Sequence, residues 1–556
     1  MNVLKLRAAI VAALLTASPL AAQAAASEQQ NLEELRNTVV NLLQVLVDQG
    51  VMTREKAAQL VRQAQDKAAA DAAASAKRDE GAVRVPYVPQ IVKDEISKQV
   101  ADEVKPAVVE GVVQQAKAEG WGVPGAMPEW LSRVRVSGDV RVRGQSDLYS
   151  SDNAPTASVY LDHNAINAAG GLQAAGQNAF LNVTHDQERL RVRARFGAEV
   201  EATPDWHVGV RVATGSSTDP SSESQTLGTT AARYNVGFDQ AYIRYQHDDA
   251  SKFRLVTVSA GRFANPWLSP TELIFARDLT FEGVAYTGRT SFGQGSGADR
   301  SAGFLTLGAF PVQFVPLASN RSKWLLAAQL GGDLHFTSAD TLRAAIGYYD
   351  FQHMAGVYNT IPDLGLYNYT APQFLRYGNT VFNIANSSTN SDARLYALAA
   401  NFRLVDLAAS YAHSTGRYSV GLNAQAVKNI GYNVNDVYNR TGITQSARNK
   451  GYVVDAGFGD PDPAARAFAW RATFGYRYVQ RDAVLDAWTD ADFHEGGTNA
   501  QGYYLVGDLG LAKNVWLRLR YLAANEIDGP QDLNGQPVTG AKYGVDIIQL
   551  DLNARF

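Results

Sequence analysis

Ile548-Gln549-Leu550-Asp551-Leu552-Asn553-Ala554-Arg555-Phe556 ends the chain, and its period is two. Ile548, Leu550, Leu552 and Ala554 are apolar, whereas Gln549, Asp551, Asn553 and Arg555 between them are polar or charged. Successive side chains of a strand point to opposite faces, so this segment has one greasy face and one wet face. A soluble sandwich can carry such a pattern. A membrane β-barrel must carry it, because lipid lies outside and a polar lumen inside.

The same period recurs upstream. Val134, Val136, Val140 and Val142 alternate with Arg133, Arg135, Asp139, Arg141 and Arg143. Leu190, Val192, Ala194 and Phe196 alternate with Arg189, Arg191, Arg193 and Arg195, and Leu517, Leu519 and Tyr521 alternate with Arg518 and Arg520. Such segments predict an all-β transmembrane antiparallel β-barrel over 133–556 with about 16 strands, a number that both ends on one side would make even. Tight connections are expected at Thr203 to Asp205, His247 to Ser251, Ser338 to Asp340, Val405-Asp406, Gln480 to Asp482 and Ala512 to Asn514. Long ones rich in Asn, Gly, Ser and Thr are expected at Asp147 to Asp186, Gly215 to Asn235, His353 to Asp392 and Ser419 to Ala464. Short turns alternating with long loops are the habit of bacterial barrels. The terminal Phe556 resembles the C-terminal signal read by the barrel assembly machinery of Gram-negative outer membranes.

The other end of the chain agrees. Lys5 and Arg7 precede the apolar run Ala8 to Leu15, and Ala22-Gln23-Ala24 fits a signal-peptide cleavage site, so 1–24 reads as a secretory signal. The run is too short to span a bilayer. From 25 to 119 the period is helical: Leu32, Leu35, Val39, Leu42, Leu43 and Leu46 mark one apolar stripe, and Val92, Ile96, Val100 and Val104 another. This segment is expected in the periplasm, either as a coiled coil that sets a homotrimer or reaches other envelope components, or as a helical hairpin packed on the barrel. Residues 120–132 read as a linker.

Composition narrows the class further. Mean hydropathy is only -0.20 although 46% of residues are hydrophobic, as alternation requires, and 25 Tyr, 21 Phe and 8 Trp suffice for aromatic girdles. The absence of cysteine excludes disulfides and thiolate metal sites. A formal net charge of -4 gives no sign of nucleic-acid binding. Enzyme signatures are lacking: the eight histidines form no H-E-x-x-H helix, and no G-x-S-x-G elbow occurs. Gly293 to Ala298 nominally fits a dinucleotide pattern but reads as an inter-strand turn, since no helix signal follows. No catalytic residue, metal or cofactor is expected.

At Ala260 a family resemblance enters. Gly261-Arg262-Phe263-Ala264-Asn265-Pro266-Trp267, then Leu273-Ile274-Phe275 and Asp278 to Val284, resemble a passage in the bacterial "putative porin" family of outer-membrane proteins. Leu46 to Thr53 is similar to N-terminal segments of that family. The resemblance implies a pore-forming barrel with passive transport and supplies no substrate-binding residues. Gly261 and Pro266 suit a strand running into a loop, which either lies on the outer surface or folds inward as a constriction.

A charged side chain at the lipid midplane costs about 2–4 kcal/mol, so arginines on alternating strands should face the lumen. Arg133, Arg135, Arg141, Arg143, Arg189, Arg191, Arg193, Arg195, Arg262, Arg518 and Arg520 form the candidate pore lining, with Arg211, Arg244, Arg254, Arg471 and Arg477 on further strands. Unpaired, they would favour anions; paired with Asp139, Glu199, Glu201, Asp239, Asp333, Asp508 and Asp551, they would brace the wall without selectivity. Two functions follow. One is an outer-membrane porin passing small hydrophilic solutes through a water-filled channel, with outer-membrane lipid and the barrel assembly machinery as partners. The other is a non-conducting structural or receptor barrel that tethers the envelope through its N-terminal helices.

Overall fold

The computed structural model describes residues 129–154, 160–249, 254–293, 300–316, 321–532 and 538–556. The expected signal, the helical segment 25–119 and most of the linker lie outside the described residues.

Sixteen long strands form one antiparallel sheet that closes on itself. They are β1 (Val134–Tyr149), β2 (Gln187–Thr203), β3 (Trp206–Thr214), β4 (Val236–Asp249), β5 (Arg254–Ala264), β6 (Thr280–Phe292), β7 (Ser301–Gln313) and β8 (Lys323–His335). They continue as β9 (Asp340–Gln352), β10 (Phe402–Thr415), β11 (Tyr418–Asn429), β12 (Lys450–Gly459), β13 (Trp470–Val479), β14 (Ala500–Ala512), β15 (Val515–Glu526) and β16 (Gly544–Arg555). Each pairs with its sequence neighbours, and β1 pairs with β16 from Asp139↔Arg555 to Tyr149↔Val545. Closure removes every sheet edge, as a lipid environment demands, since an unpaired N–H or C=O has no water there. The pair Gln225–Thr226 adds a short ladder to β2, and Val381–Asn383 pairs with Tyr396–Leu398 in a separate hairpin.

The alternation sorts as the period of two requires. Val140 and Val142 of β1, Leu190 and Phe196 of β2, and Leu550 and Leu552 of β16 stand exposed on the outer wall, while Arg143, Gln145, Asp147, Gln549 and Asp551 are buried inside. No helix among the described residues is long and apolar enough to cross a membrane; the strands, 9 to 17 residues long, have the reach.

Several connections differ from the sequence expectation. Val405-Asp406 is no turn: it lies inside β10, where Asp406 is fully buried and accepts from Gln425 Nε2 at 3.1 and 3.2 Å. A buried, hydrogen-bonded carboxylate on the inner wall imitates turn polarity. Gln480 to Asp482 opens the long connection 480–499 and is polar because Asp482 accepts from Thr380 N at 2.9 Å and Oγ1 at 2.6 Å. The stretch Ser419 to Ala464 is not one loop; it contains most of β11 and all of β12, with 430–449 between them. The tight connection β10–β11 is instead the two residues 416–417. Arg133 ends a 3-10 turn, Glu129–Arg133, and so precedes the strand alternation.

Long-loop connections turn back into the barrel. Residues 265–279, 353–401 and 480–499 supply Trp267, Leu273, Ile274, Phe275, Phe382, Ile384, Tyr396, Val484 and Leu485 to one buried apolar cluster. Phe275 packs on Tyr349 of β9 with ring centroids 5.3 Å apart, and Trp488 stands over Phe351 at 5.4 Å. The loop after β5 therefore takes the inward course. Its base is set by Gly261 and Gly283, which face each other across β5 and β6 with φ of 115° and 137°. A Cβ at either would come within 2.3 Å of the Ala241 or Ala309 carbonyl oxygen, so only glycine fits.

Candidate functional site

The loops leave cavities between themselves and the inner wall. A cavity of about 760 Å³ runs from Gly138, Trp516 and Phe556 at the short-turn end to Ala491 and Asp492. A second, of about 320 Å³, continues from there to Tyr149, Asn182 and Gln187 at the long-loop end. The two share Ser222, Ala491 and Asp492. A third cavity, of about 780 Å³, opens at the long-loop end beside β3 to β8 and meets the first at Ser222 and Asp278.

Arg141, Arg143, Arg193, Arg195, Arg518 and Arg520 line the first cavity, and Arg189 and Arg191 the second. Arg262 lines the third, paired with Glu282 at 2.7 Å. The structure does not bring Arg133 and Arg135 to these cavities. Arg133 belongs to the 3-10 turn, and Arg135 is exposed near the barrel rim opposite Glu199. Phe556 is 64% exposed; its backbone closes the barrel against Gly138 through two hydrogen bonds of 3.0 and 3.1 Å.

Charge is distributed unevenly. Eleven arginines face eight carboxylates in the first cavity, an excess of three positive charges. The third cavity reverses the sign, with Arg262 and Lys323 against five carboxylates. Much of the wall is cross-braced. Asp139 takes Arg193 at 2.9 Å and Arg195 at 2.6 Å; Asp551 takes Arg143 at 2.6 Å; Asp508 takes Arg518 at 2.7 Å; and Asp333 takes Arg343 at 3.0 Å. Glu199 pairs with Arg244 and Asp239 with Arg211.

Sequence reasoning missed the second set of counter-charges, which comes from the connections between strands. Asp492 accepts from Arg143 Nη1 with both oxygens at 2.9 Å and from Arg520 Nη1 at 2.5 Å. Burial pushes its carboxyl up, but the guanidiniums of Arg143, Arg520, Arg141 and Arg191 outweigh that and hold it well below the usual carboxylate range. Asp278 takes Arg193 at 2.9 Å. Glu223 takes Arg195 at 3.2 Å and Arg211 at 3.1 Å, yet burial and the nearby Asp278 and Asp239 raise it to about 8. No periodicity marks these positions, since a loop residue has no face to be read from.

Four lining arginines keep no carboxylate partner among the described residues. Arg141 donates to Ser224 Oγ, Arg191 to Gln145 at 3.5 Å, Arg471 to Ser419 Oγ at 3.0 Å, and Arg477 to Thr489 Oγ1 at 2.6 Å and the Glu272 carbonyl at 3.0 Å. Among the described residues no group of three or more His, Cys, Asp or Glu side chains is placed to hold a metal ion.

Among solved structures, the chain is similar to Pseudomonas putida OprB at high pH, with 11% identity, a TM-score of 0.43, and coverage of 79% of this chain and 97% of that one. It is also similar to the outer membrane channel DcaP of Acinetobacter baumannii, with 12% identity, a TM-score of 0.36, and coverage of 76% and 97%. A loop L8 deletion mutant of the Vibrio cholerae outer membrane protein OmpT matches at 8% identity and a TM-score of 0.36, over 76% of this chain and 100% of that one. No curated protein sequence matches. The family model described as "putative porin" matches residues 36–556, from the N-terminal helical pattern through the last strand, and the chain belongs to that family.

Proposed function

We propose that this protein is an outer-membrane porin that passes small hydrophilic solutes passively along the arginine-lined side of its lumen, with a mild preference for anions. The observation that carries this reading is the pair of neighbouring arginine-lined cavities inside the closed barrel, which share Ser222, Ala491 and Asp492 in their linings. Water-filled space bordered by fixed charge conducts ions, and the sign of the uncancelled charge sets the preference. Pairing removes most of the wall charge, so the preference falls to Arg141, Arg191, Arg471 and Arg477.

The mature protein in a planar bilayer tests this. Stable ohmic steps, with a reversal potential of anion sign under a potassium chloride gradient, are the expected result. Cation preference would remove the anion assignment. Silence would favour the second reading, a non-conducting structural or receptor barrel, which the apolar cluster of infolded loops supports because it already fills part of the lumen.

A further inference from the structure

The register of β1 and β2 places two rungs of like charge on the lumen wall. Arg141 lies directly opposite Arg193, and Arg143 directly opposite Arg191. Facing side chains root about 5 Å apart, where like charges repel unless they are cancelled. The surrounding carboxylates cancel only one member of each rung. Arg193 holds Asp139 and Asp278, and Arg143 holds Asp551 and Asp492. Arg141 and Arg191 have hydroxyl and amide partners instead, and the buried Nε of Arg191 has none.

These two residues are diagonal neighbours across the strand pair, rooted about 7–8 Å apart. Arg141 borders the first cavity and Arg191 the second, so they stand on either side of the junction where both cavities are lined by Ser222, Ala491 and Asp492. Ser222 lines both cavities there, its hydroxyl accepting from Ser224 N at 3.3 Å. Guanidinium forks engage oxyanions through paired, charge-assisted hydrogen bonds, and two forks rooted at this spacing can close on one compact anion. Asp492 at the same junction repels an anion and keeps its stay short. Conduction requires that balance, because a site must bind well enough to admit a solute and weakly enough to release it.

We infer that Arg141 and Arg191 form a two-arginine subsite for a compact oxyanion of the phosphate or sulfate class, which hands the anion from one cavity to the other. This inference rests on the channel reading above and narrows its solute class.

The test uses the full mature chain and inorganic phosphate as the probe. In a planar bilayer at constant ionic strength and pH 7.5, phosphate should depress the chloride current saturably. The double variant Arg141→Gln/Arg191→Gln should raise the half-blocking concentration about tenfold or more while chloride still passes. Calorimetric titration of the detergent-solubilised chain with phosphate reads the same subsite without conduction. Binding by calorimetry that the double variant loses, in a chain that passes no current, supports the subsite and refutes the channel. An anion-selective current with unsaturable phosphate dependence, or equal block in the double variant, overturns the subsite and leaves the channel. Far-UV circular dichroism confirms that the variant barrel has formed. If it has not, Arg191→Gln alone is read by the same two assays, with a loss of several-fold expected and no change overturning the inference.

Discussion

Asp492→Asn should shift the reversal potential towards the anion side and widen the passage. Asparagine keeps the size of the side chain and removes its charge, so the excess in the first cavity rises from three positive charges to four. It also weakens the latch of loop 480–499, because Asp492 bridges two guanidiniums on separate strands, Arg143 of β1 and Arg520 of β15. Breaking one partner of a buried ion pair costs about 3–5 kcal/mol. Here the lower end applies, since Arg143 retains Asp551 and Arg520 retains Gln549 at 2.9 Å. A change of about 3 kcal/mol shifts the equilibrium between docked and undocked loop roughly a hundredfold.

Single-channel recording of wild type and variant under a tenfold potassium chloride gradient is the assay. A perfectly selective pore would reverse at about 59 mV, and the variant should move towards that limit on the anion side, with larger or noisier unitary steps. Acidification to pH 5 should not neutralise Asp492 itself. The arginines hold the Asp492 carboxyl well below its ordinary range despite burial, so it stays ionised there. A reversal potential that is unchanged, or that moves towards cations, would refute the idea that loop carboxylates set the residual charge of the lumen.

Three further outcomes are expected. Gly283→Val forces a β-branched residue to φ 137° with its Cβ 2.2 Å from the Ala309 carbonyl oxygen, so assembly of the folded barrel should fall by at least the equivalent of about 3 kcal/mol, read as the heat-modifiable fraction on electrophoresis. Lys323→Met leaves the Thr370 and Ala371 carbonyls without the buried ammonium that reaches them at 3.2 and 2.7 Å, so amide hydrogen exchange around 365–375 should accelerate, corresponding to about 1–3 kcal/mol. Burial raises Asp482 to about 6 and Asp486 to about 7, so the docked loops hold protons that the undocked chain releases near pH 4. Docking of 480–499 against Asn379 and Thr380 is therefore tightest at low pH and weakens as pH rises through 6 to 7. Exchange corrected for its intrinsic rate should be faster at pH 8.5 than at pH 5.5 in both segments, and the reverse order would contradict the assignment.

The wall of the barrel was legible because a strand's two faces meet different solvents. Leu550 and Leu552 outside and Asp551 and Asn553 inside need no tertiary information to be assigned. The interior was not legible for the opposite reason. Asp406 and Asp482 are polar and buried, a combination that local pattern assigns to turns, and their partners Gln425 and Thr380 lie 19 and 102 residues away. The arginines could be placed on inward faces, yet their pairing could not, because Asp278 and Asp492 reach them from loops. Arg193 and Asp278 are 85 positions apart, and Arg143 and Asp492 are 349 apart. Arg133 shows the limit at a strand end, where an extrapolated period ran into a 3-10 turn.

The same separation explains how this lumen is built. Consecutive arginine rungs on β1 and β2 would repel one another in an empty barrel, and a buried guanidinium without a partner is costly to desolvate. Two of the infolded loops bring carboxylates to these rungs and their neighbour, Asp278 to Arg193 and Asp492 to Arg143 and Arg520. Loop docking is thus driven in part by wall charge, and wall charge is cancelled by loop docking. Arginine suits this double duty better than lysine. The Arg143 fork meets Asp551 through Nε and Nη2 and Asp492 through Nη1, which a single ammonium could not do in fixed geometry. In the channel proposed above, selectivity belongs to the few arginines that the loops leave uncancelled rather than to the many that line the wall. Counting inward-facing charge from sequence therefore overstates the field a solute meets, and a variant in a loop carboxylate should change selectivity more than one in a paired wall arginine.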